Sequence, residues 1–265
     1  MKKSLLVITI TCIAVHLSAQ NTPPWNGKKC AVVLTYDDAL NTHLDNVIPL
    51  LDSLGMKGTF YLSASFPGCK NRLEDWKKAA AEGHELGNHT LWHPCIGNLP
   101  GRSWVSPEND MSKYTVKRMV NEAVMTNIFL QALDGKTERT FAYPCGDMKI
   151  GDTAYMDSMH NDFIAARAVR EQMHTIDKIS LYDVDCYAMN NATTQQMTAL
   201  VNQAMQTNTL LVFLFHGVGG EHAINVSLEA HRGLLQYLEQ NEKDIWIAPM
   251  IDVAKYVKAY QSQKK

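Results

Sequence analysis

The sequence predicts an α/β fold built on a largely parallel sheet. Three observations carry that prediction. Short apolar runs alternate with longer amphipathic stretches along most of the chain, the runs are apolar on both sides, and polar residues able to do chemistry follow the runs directly. Regular alternation of strand-like and helix-like segments marks βαβ units. Strands apolar on both sides fit a sheet that helices cover on both faces, or one that closes on itself.

The elements follow in order. Residues 1–20 stand apart: "MKK" is basic, "SLLVITITCIAVHL" is apolar but too short for a bilayer span, and "SAQ" offers small residues for cleavage next to Gln20. This predicts a signal peptide and an exported chain, periplasmic or extracellular, with no stable membrane insertion after cleavage. Residues 21–27, "NTPPWNG", read as a linker, and 28–260 as one domain. Strands are expected at 31–36, 58–62, 85–88, 139–143, 163–166, 181–184, 210–215 and 245–248. Helices are expected near 43–54, 73–82, 113–133, 150–160, 194–207, 227–240 and 252–260. The third of these shows Val116, Met119, Val120, Ala123 and Val124 at helical spacing, a core stripe. The second follows "NRLED" and stops at Gly83, where a helix end favours glycine.

Composition narrows the function. The chain has 265 residues with 25 basic and 27 acidic side chains, a near-neutral balance that argues against nucleic acid or an anionic membrane surface as a partner. Of six cysteines, Cys12 lies in the leader, so the mature chain keeps an odd number and at least one thiol outside disulfides. No C-x-x-C pair is present to form a structural zinc knuckle.

In parallel α/β folds chemistry gathers at the carboxyl ends of strands. The segments there are "DD" (37–38), "HTLWHP" (89–94), "PCGD" (144–147), "DVDCY" (183–187) and "HGVGG" (216–220). His89 and His93 are four residues apart, and one helical turn would place both imidazoles on one face. A catalytic metal site commonly takes three protein ligands and keeps one position open. Two histidines and one aspartate complete that set. The adjacent Asp37 and Asp38 then divide the work: one binds the ion, the other accepts a proton from the attacking water. Zn2+ is the default ion for such donors, and Co2+ or Ni2+ also suits mixed nitrogen and oxygen ligands.

"TYDDA", "HTLWHP", "YPCG", "DVDCY" and "FLFH" resemble, in order, the five motifs of polysaccharide deacetylases of the NodB-homology type, carbohydrate esterase family 4. The resemblance spans about residues 28–258. It implies a distorted (β/α)7 barrel and an exported, metal-dependent hydrolase that removes acetyl groups from a glycan. The substrate would be an N-acetylated amino-sugar polymer or oligomer, or an O-acetylated polysaccharide such as xylan. Residue by residue, it implies Asp37 as base, Asp38, His89 and His93 as metal ligands, and His216 as the acid, with Leu214 beside the acetyl methyl.

The chain departs from the family pattern in two motifs. The arginine that holds the base in motif three is absent from Ala142–Tyr143–Pro144–Cys145–Gly146. Arg139, Arg167 and Arg170 are candidates to replace it, or backbone and water hold Asp37. Its absence also leaves open a catalytically impaired glycan-binding homologue. Cys145 stands where the family has tyrosine, and its backbone N–H remains available as an oxyanion donor. In motif four, Asp183 or Asp185 is a candidate to orient His216 through its ring N–H, and Tyr187 is a candidate wall of the acetyl pocket. Cys95 and Cys145 each follow a proline and could pair with each other, or one could pair with Cys186. The polar segment 95–112 has the length of a functional loop. Within or beside it, Trp92 and Trp104 either stack on sugars or pin the loop to the core.

Overall fold

The computed structural model describes residues 24–264. The leader with Cys12, and residues 21–23, lie outside the described residues. Nine strands form the main sheet: β1 (Cys30–Asp37), β2 (Thr59–Leu62), β3 (Glu85–Asn88), β4 (Thr140–Ala142), β5 (Ala165–Arg167), β6 (His174–Thr175), β7 (Tyr187–Ala188), β8 (Thr209–Phe215) and β9 (Ile245–Ile247). Their order is β5-β4-β3-β2-β1-β8-β6, with β9 also on β1 and β7 also on β8. Every pairing is parallel except β6 on β8.

The sheet curls on itself. Arg167, at the end of β5, makes a parallel bridge to Val184, and a few residues later Tyr187 and Ala188 pair with Phe213 and Leu214 of β8. The chain between 184 and 188 thus spans the gap from β5 back to β8. This is the distorted barrel expected from the sequence, thin at one seam. The expected strand at 181–184 shrinks to that single bridge.

Helices α1 (Ile48–Ser53), α2 (Pro67–Lys70), α3 (Leu73–Ala81), α4 (Val116–Asp134), α5 (Thr194–Thr207), α6 (Leu228–Gln240) and α7 (Met250–Ser262) complete the fold. β1 shows why the sheet is two-sided. Val32, Leu34 and Tyr36 join a core with Trp76 of α3, Val201 of α5 and Leu234 of α6. Ala31 and Val33 point the other way, to Val212, Leu214 and Val253 and Val257 of α7. Each such buried side chain contributes about 1.5–3 kcal/mol. Successive strand residues alternate faces, so Asp37 shares the inward face of Ala31 and Val33. Tyr61 also fills the inside, and Gly87 on the neighbouring strand makes room for it: a Cβ there would lie 2.4 Å from the Tyr61 ring.

Two expectations need correction. No helix forms over 150–160. Instead Lys149–Ile150 and Thr153–Ala154 make a small hairpin, followed by 3-10 turns at Tyr155–Ser158 and His160–Asp162. Gly151, at φ 58°, turns the chain, while Tyr155, Met156 and Met159 are buried against Phe141 and Tyr143. Nor is the described part of the 21–27 segment a free linker. Trp25 is fully buried, and its indole N–H donates to the Asn208 carbonyl at 2.9 Å. Among the described residues no helix is long and apolar enough to cross a membrane.

Candidate active site

Asp37 ends β1, and Asp38 begins the turn. Neighbours in a strand point to opposite faces, yet both carboxylates enter one cleft, because Asp38 adopts φ 80° and Ala39 φ 52°. Left-handed backbone at a non-glycine residue costs on the order of 1–3 kcal/mol and is held by its surroundings. Here the Asp38 N–H donates to the Tyr61 carbonyl at 3.1 Å, and α2 packs close behind. A Cβ on Gly68 would sit 2.0 Å from the Ala39 carbonyl oxygen, so only glycine permits that approach.

His89 and His93 converge, but not on a helical turn. Their segment is a loop kinked at Thr90 (φ 67°) and His93 (φ 52°), and the two rings lie 4.7 Å apart. The kinks are hydrogen-bonded in place: Asn88 Oδ1 accepts from the Thr90 N–H at 2.8 Å, Thr90 Oγ1 from the His93 N–H at 3.0 Å, and Glu122 of α4 from the Trp92 N–H at 2.9 Å. His89 Nδ1–H donates to the Ala142 carbonyl at 2.8 Å. That bond fixes the tautomer and leaves the Nε2 lone pair aimed into the cleft.

Asp38 Oδ1 lies 3.6 Å from His89 Nε2 and 3.5 Å from His93 Nε2. One donor atom from each of the three residues lies within 4.8 Å of the others. Asp38 Oδ1 and His89 Nε2 are buried with no hydrogen-bond partner among the described residues. Buried polar atoms are normally satisfied, so two unsatisfied donor atoms facing each other fit a cation between them. Burial pushes the His89 and His93 imidazoles down to about 4, which keeps them neutral and able to ligate.

The arginine missing from motif three has a replacement. Arg167, at the end of β5, is fully buried and pairs with Asp37 Oδ2 across the inside of the curl. Its guanidinium lies 5.2 Å above the Tyr61 ring and donates to the Ala168 carbonyl at 3.1 Å. Burial would raise the Asp37 carboxyl, but Arg167, His89 and His216 outweigh it and hold it below the usual carboxylate range. The other two candidates lie elsewhere: Arg139 pairs with Asp134, and Arg170 with Asp183 and Asp185.

His216 follows β8 and faces the pair of aspartates, with Nε2 3.8 Å from Asp38 Oδ2. His43 Nε2 lies 2.8 Å from the His216 carbonyl and anchors its backbone. Burial lowers the His216 imidazole, against an upward pull from Asp37 and Asp38. Asp185 does not orient it. The Asp185 carboxylate lies 2.8 Å from His174 Nε2 and 2.9 Å from Arg170, while His216 Nδ1 has no partner among the described residues. Asp185 precedes β7, and its partners His174 and Arg170 hold it outside the cleft.

The cleft is a cavity of about 270 Å3, lined by Asp37, Asp38, His89, His93 and His216 with Trp104, Tyr143, Cys145, Val169, Ala188, Leu214, His222 and Ile224. Leu214 is therefore in place as a wall. Tyr187 is not: it packs against the helix-side core, and its neighbour Ala188 lines the cleft. Cys145 sits at the rim in a left-handed turn, φ 56°. Trp104 is 63% exposed at the mouth. His222, which the sequence reading missed, stacks on His216. A second histidine six residues after His216, in a glycine-rich loop, was the available signal.

A disulfide joins Cys95 to Cys145, while Cys30, Cys69 and Cys186 are free and buried. It ties the loop that carries His89 and His93 to the Cys145 turn. Arg102 reinforces the tie, pairing with Asp147 and donating to the Cys145 carbonyl at 3.2 Å. A cross-link closing a long loop contributes about 2–4 kcal/mol. We expect Cys95→Ser with Cys145→Ser to lower the melting temperature by several degrees. Thiol titration of a chain without residues 1–20 should find three reactive cysteines when denatured but unreduced, and five after reduction.

A family model described as polysaccharide deacetylase matches residues 26–160, a stretch that includes Asp37, Asp38, His89 and His93. The chain belongs to the polysaccharide deacetylase family. Uncharacterized protein YlxY of Bacillus subtilis (strain 168) is 31% identical over 140 residues, 51% of this chain and 39% of that protein. The chain thus spans about two fifths of that relative's length. The fold matches the structure of peptidoglycan deacetylase PdaC from Bacillus subtilis with a TM-score of 0.54 and 14% identity, covering 89% of this chain and 95% of that one. It also matches a mutant of BA3943, described as a CE4 family pseudoenzyme, with a TM-score of 0.51 and 18% identity, covering 86% and 67%. At such identities these two likenesses concern the fold.

Proposed function

We propose that the protein is an exported, divalent-metal-dependent hydrolase that removes acetyl groups from a glycan, with N-acetyl groups of an amino-sugar polymer or oligomer as the preferred target. The observation that carries this reading is the convergence of Asp37, Asp38, His89, His93 and His216 on one cavity, with Asp37 held ionised by Arg167. Asp38, His89 and His93 would hold the cation. When bound, the ion supplies Lewis-acid polarisation of the acetyl carbonyl and acidifies water.

The protein's own groups do the rest. Asp37, ionised at neutral pH, accepts the proton of the attacking water. The backbone N–H of Cys145 donates to the oxygen that gains charge on the acetyl carbon. His216, across the cleft, gives a proton to the departing nitrogen. Leu214 and Ala188 pack against the methyl. The sequence pattern of residues 1–20 and the disulfide both suit an oxidising compartment outside the cytoplasm.

The pseudoenzyme relative makes loss of activity the competing reading, and the complete set of five side chains with a substitute arginine argues against it. Acetate release decides. We expect turnover of acetylated chito-oligosaccharides, loss of it on treatment with a chelator, and recovery on adding back Zn2+ or Co2+. Acetylated xylan assayed in parallel separates amide from ester preference. Metal-loaded protein that binds the glycans but releases no acetate from either class would overturn the enzymatic reading.

A further inference from the structure

The loop after His216 is built to aim one more side chain into the cleft. Gly217–Val218 and Asn225–Val226 pair in a small parallel ladder, with the Gly217 N–H donating to the Ile224 carbonyl at 3.0 Å. The tip is pinned from outside. Glu221, at φ 69°, accepts from the Asn41 side-chain amide at 2.6 Å and from the Thr42 N–H at 2.7 Å. Asn41 and Thr42 follow the Asp37–Asp38 turn directly, so the loop is registered against the aspartates.

The next residue, His222, lies parallel to His216, with ring centres 4.7 Å apart and planes 14° apart. Its Nε2 is 3.9 Å from Asp38 Oδ2. That is too long for a hydrogen bond.

Hydrogen-bond accounting fixes its tautomer. Nδ1 lies 3.0 Å from the Ile224 nitrogen and 3.2 Å from the Ile224 oxygen. The Gly217 N–H already satisfies that oxygen, whereas among the described residues the Ile224 N–H has no acceptor besides Nδ1. A proton on Nδ1 would face the Ile224 N–H and leave that donor without an acceptor. Nδ1 therefore accepts from Ile224, and in the neutral ring the proton sits on Nε2. An Nε2–H has no lone pair for a cation, so His222 is not a fourth metal ligand. It is an unspent donor, with about a third of its side chain exposed, in a cleft that Leu214, Ile224, Ala188 and Val169 also line with apolar surface. Pockets of this kind take their specificity from a few placed polar groups.

We infer that His222 is a substrate-positioning residue. Its Nε2–H donates to an oxygen of the sugar that carries the acetyl group, on the leaving-group side next to His216. The inference rests on the proposed deacetylase reading.

The test measures binding and turnover separately. In the metal-loaded Asp37→Asn background, calorimetry gives the Kd for an acetylated chito-oligosaccharide with His222, His222→Ala or His222→Gln. We expect alanine to weaken binding about tenfold, the scale of one hydrogen bond, and glutamine, which keeps a donor, to recover most of it. In the otherwise native enzyme KM should rise by a similar factor, with Zn2+ affinity and melting temperature unchanged. Nitrogen-15 shifts should show Nε2 protonated and Nδ1 bare.

Three results would overturn the inference: a tenfold fall in Zn2+ affinity on His222→Ala, glycan Kd values that do not differ among the three side chains, or a bare Nε2 in the shifts. If the wild type binds the oligosaccharide without releasing acetate, the deacetylase reading falls while the Kd comparison still decides His222. A protein that binds no acetylated oligosaccharide removes both.

Discussion

Asp37→Asn should remove roughly a hundred- to ten-thousand-fold of turnover, the range for a lost general base, while leaving the cation bound. The two halves of that result come from different atoms. Asp38, His89 and His93 supply the converging donors, and Asp37 is not among them. The asparagine oxygen can still accept from Arg167, so the cleft should keep its shape. What disappears is the charge that takes a proton from water. Metal content by elemental analysis and acetate release together check this. Unchanged turnover would remove Asp37 from its role, and loss of metal would show that it also serves as a ligand.

The companion variant His216→Ala should behave differently with the leaving group. Sugar amines and alkoxides depart poorly unless protonated, whereas a nitrophenolate needs no help. The loss on 4-nitrophenyl acetate should therefore be small for His216→Ala and large for Asp37→Asn. Equal losses on both substrates would contradict the division into acid and base.

The candidate site residues were readable because type and position coincide. Asp37 and His216 each follow a strong apolar run, and His89 was marked instead by its spacing to His93; a strand end in a parallel sheet is where side chains meet. The third-motif arginine was not readable as a single residue. Which of Arg139, Arg167 and Arg170 reaches Asp37 depends on which strands face each other across the curl, and β5 faces β1 only because the sheet nearly closes. Tyr187 failed for a related reason. In a two-residue strand one step of phase sends a side chain to the other face, and Ala188 took the place expected of Tyr187. Helix 150–160 yielded to tertiary packing of Tyr155 and Met159. His222 depended on the path of a loop, which the Glu221 contacts to residues 41 and 42 determine.

Arg167→Met should destabilise the fold by about 3–5 kcal/mol, because removing one member of a buried pair strands the other. Arg167 is fully buried and the Asp37 side chain is 4% exposed. Without the guanidinium, burial moves the carboxyl up, and turnover falls with stability. The sign on the pH axis follows. A carboxyl held below its unfolded value adds stability that is present above that value and lost as pH falls through the lower, folded one. Arg167→Met should remove this contribution to acid sensitivity. Arg167→Lys should recover part of the stability, since it restores a charge but not the planar fork. A double-mutant cycle with Asp37→Asn separates the pair from the packing of Arg167 on Tyr61: the double variant should be more stable than the sum of the single losses predicts. A bound cation also favours the ionised Asp37, so Zn2+ should raise the melting temperature of Arg167→Met more than that of the wild type. Equal shifts would mean that the ion does not sense the Asp37 charge.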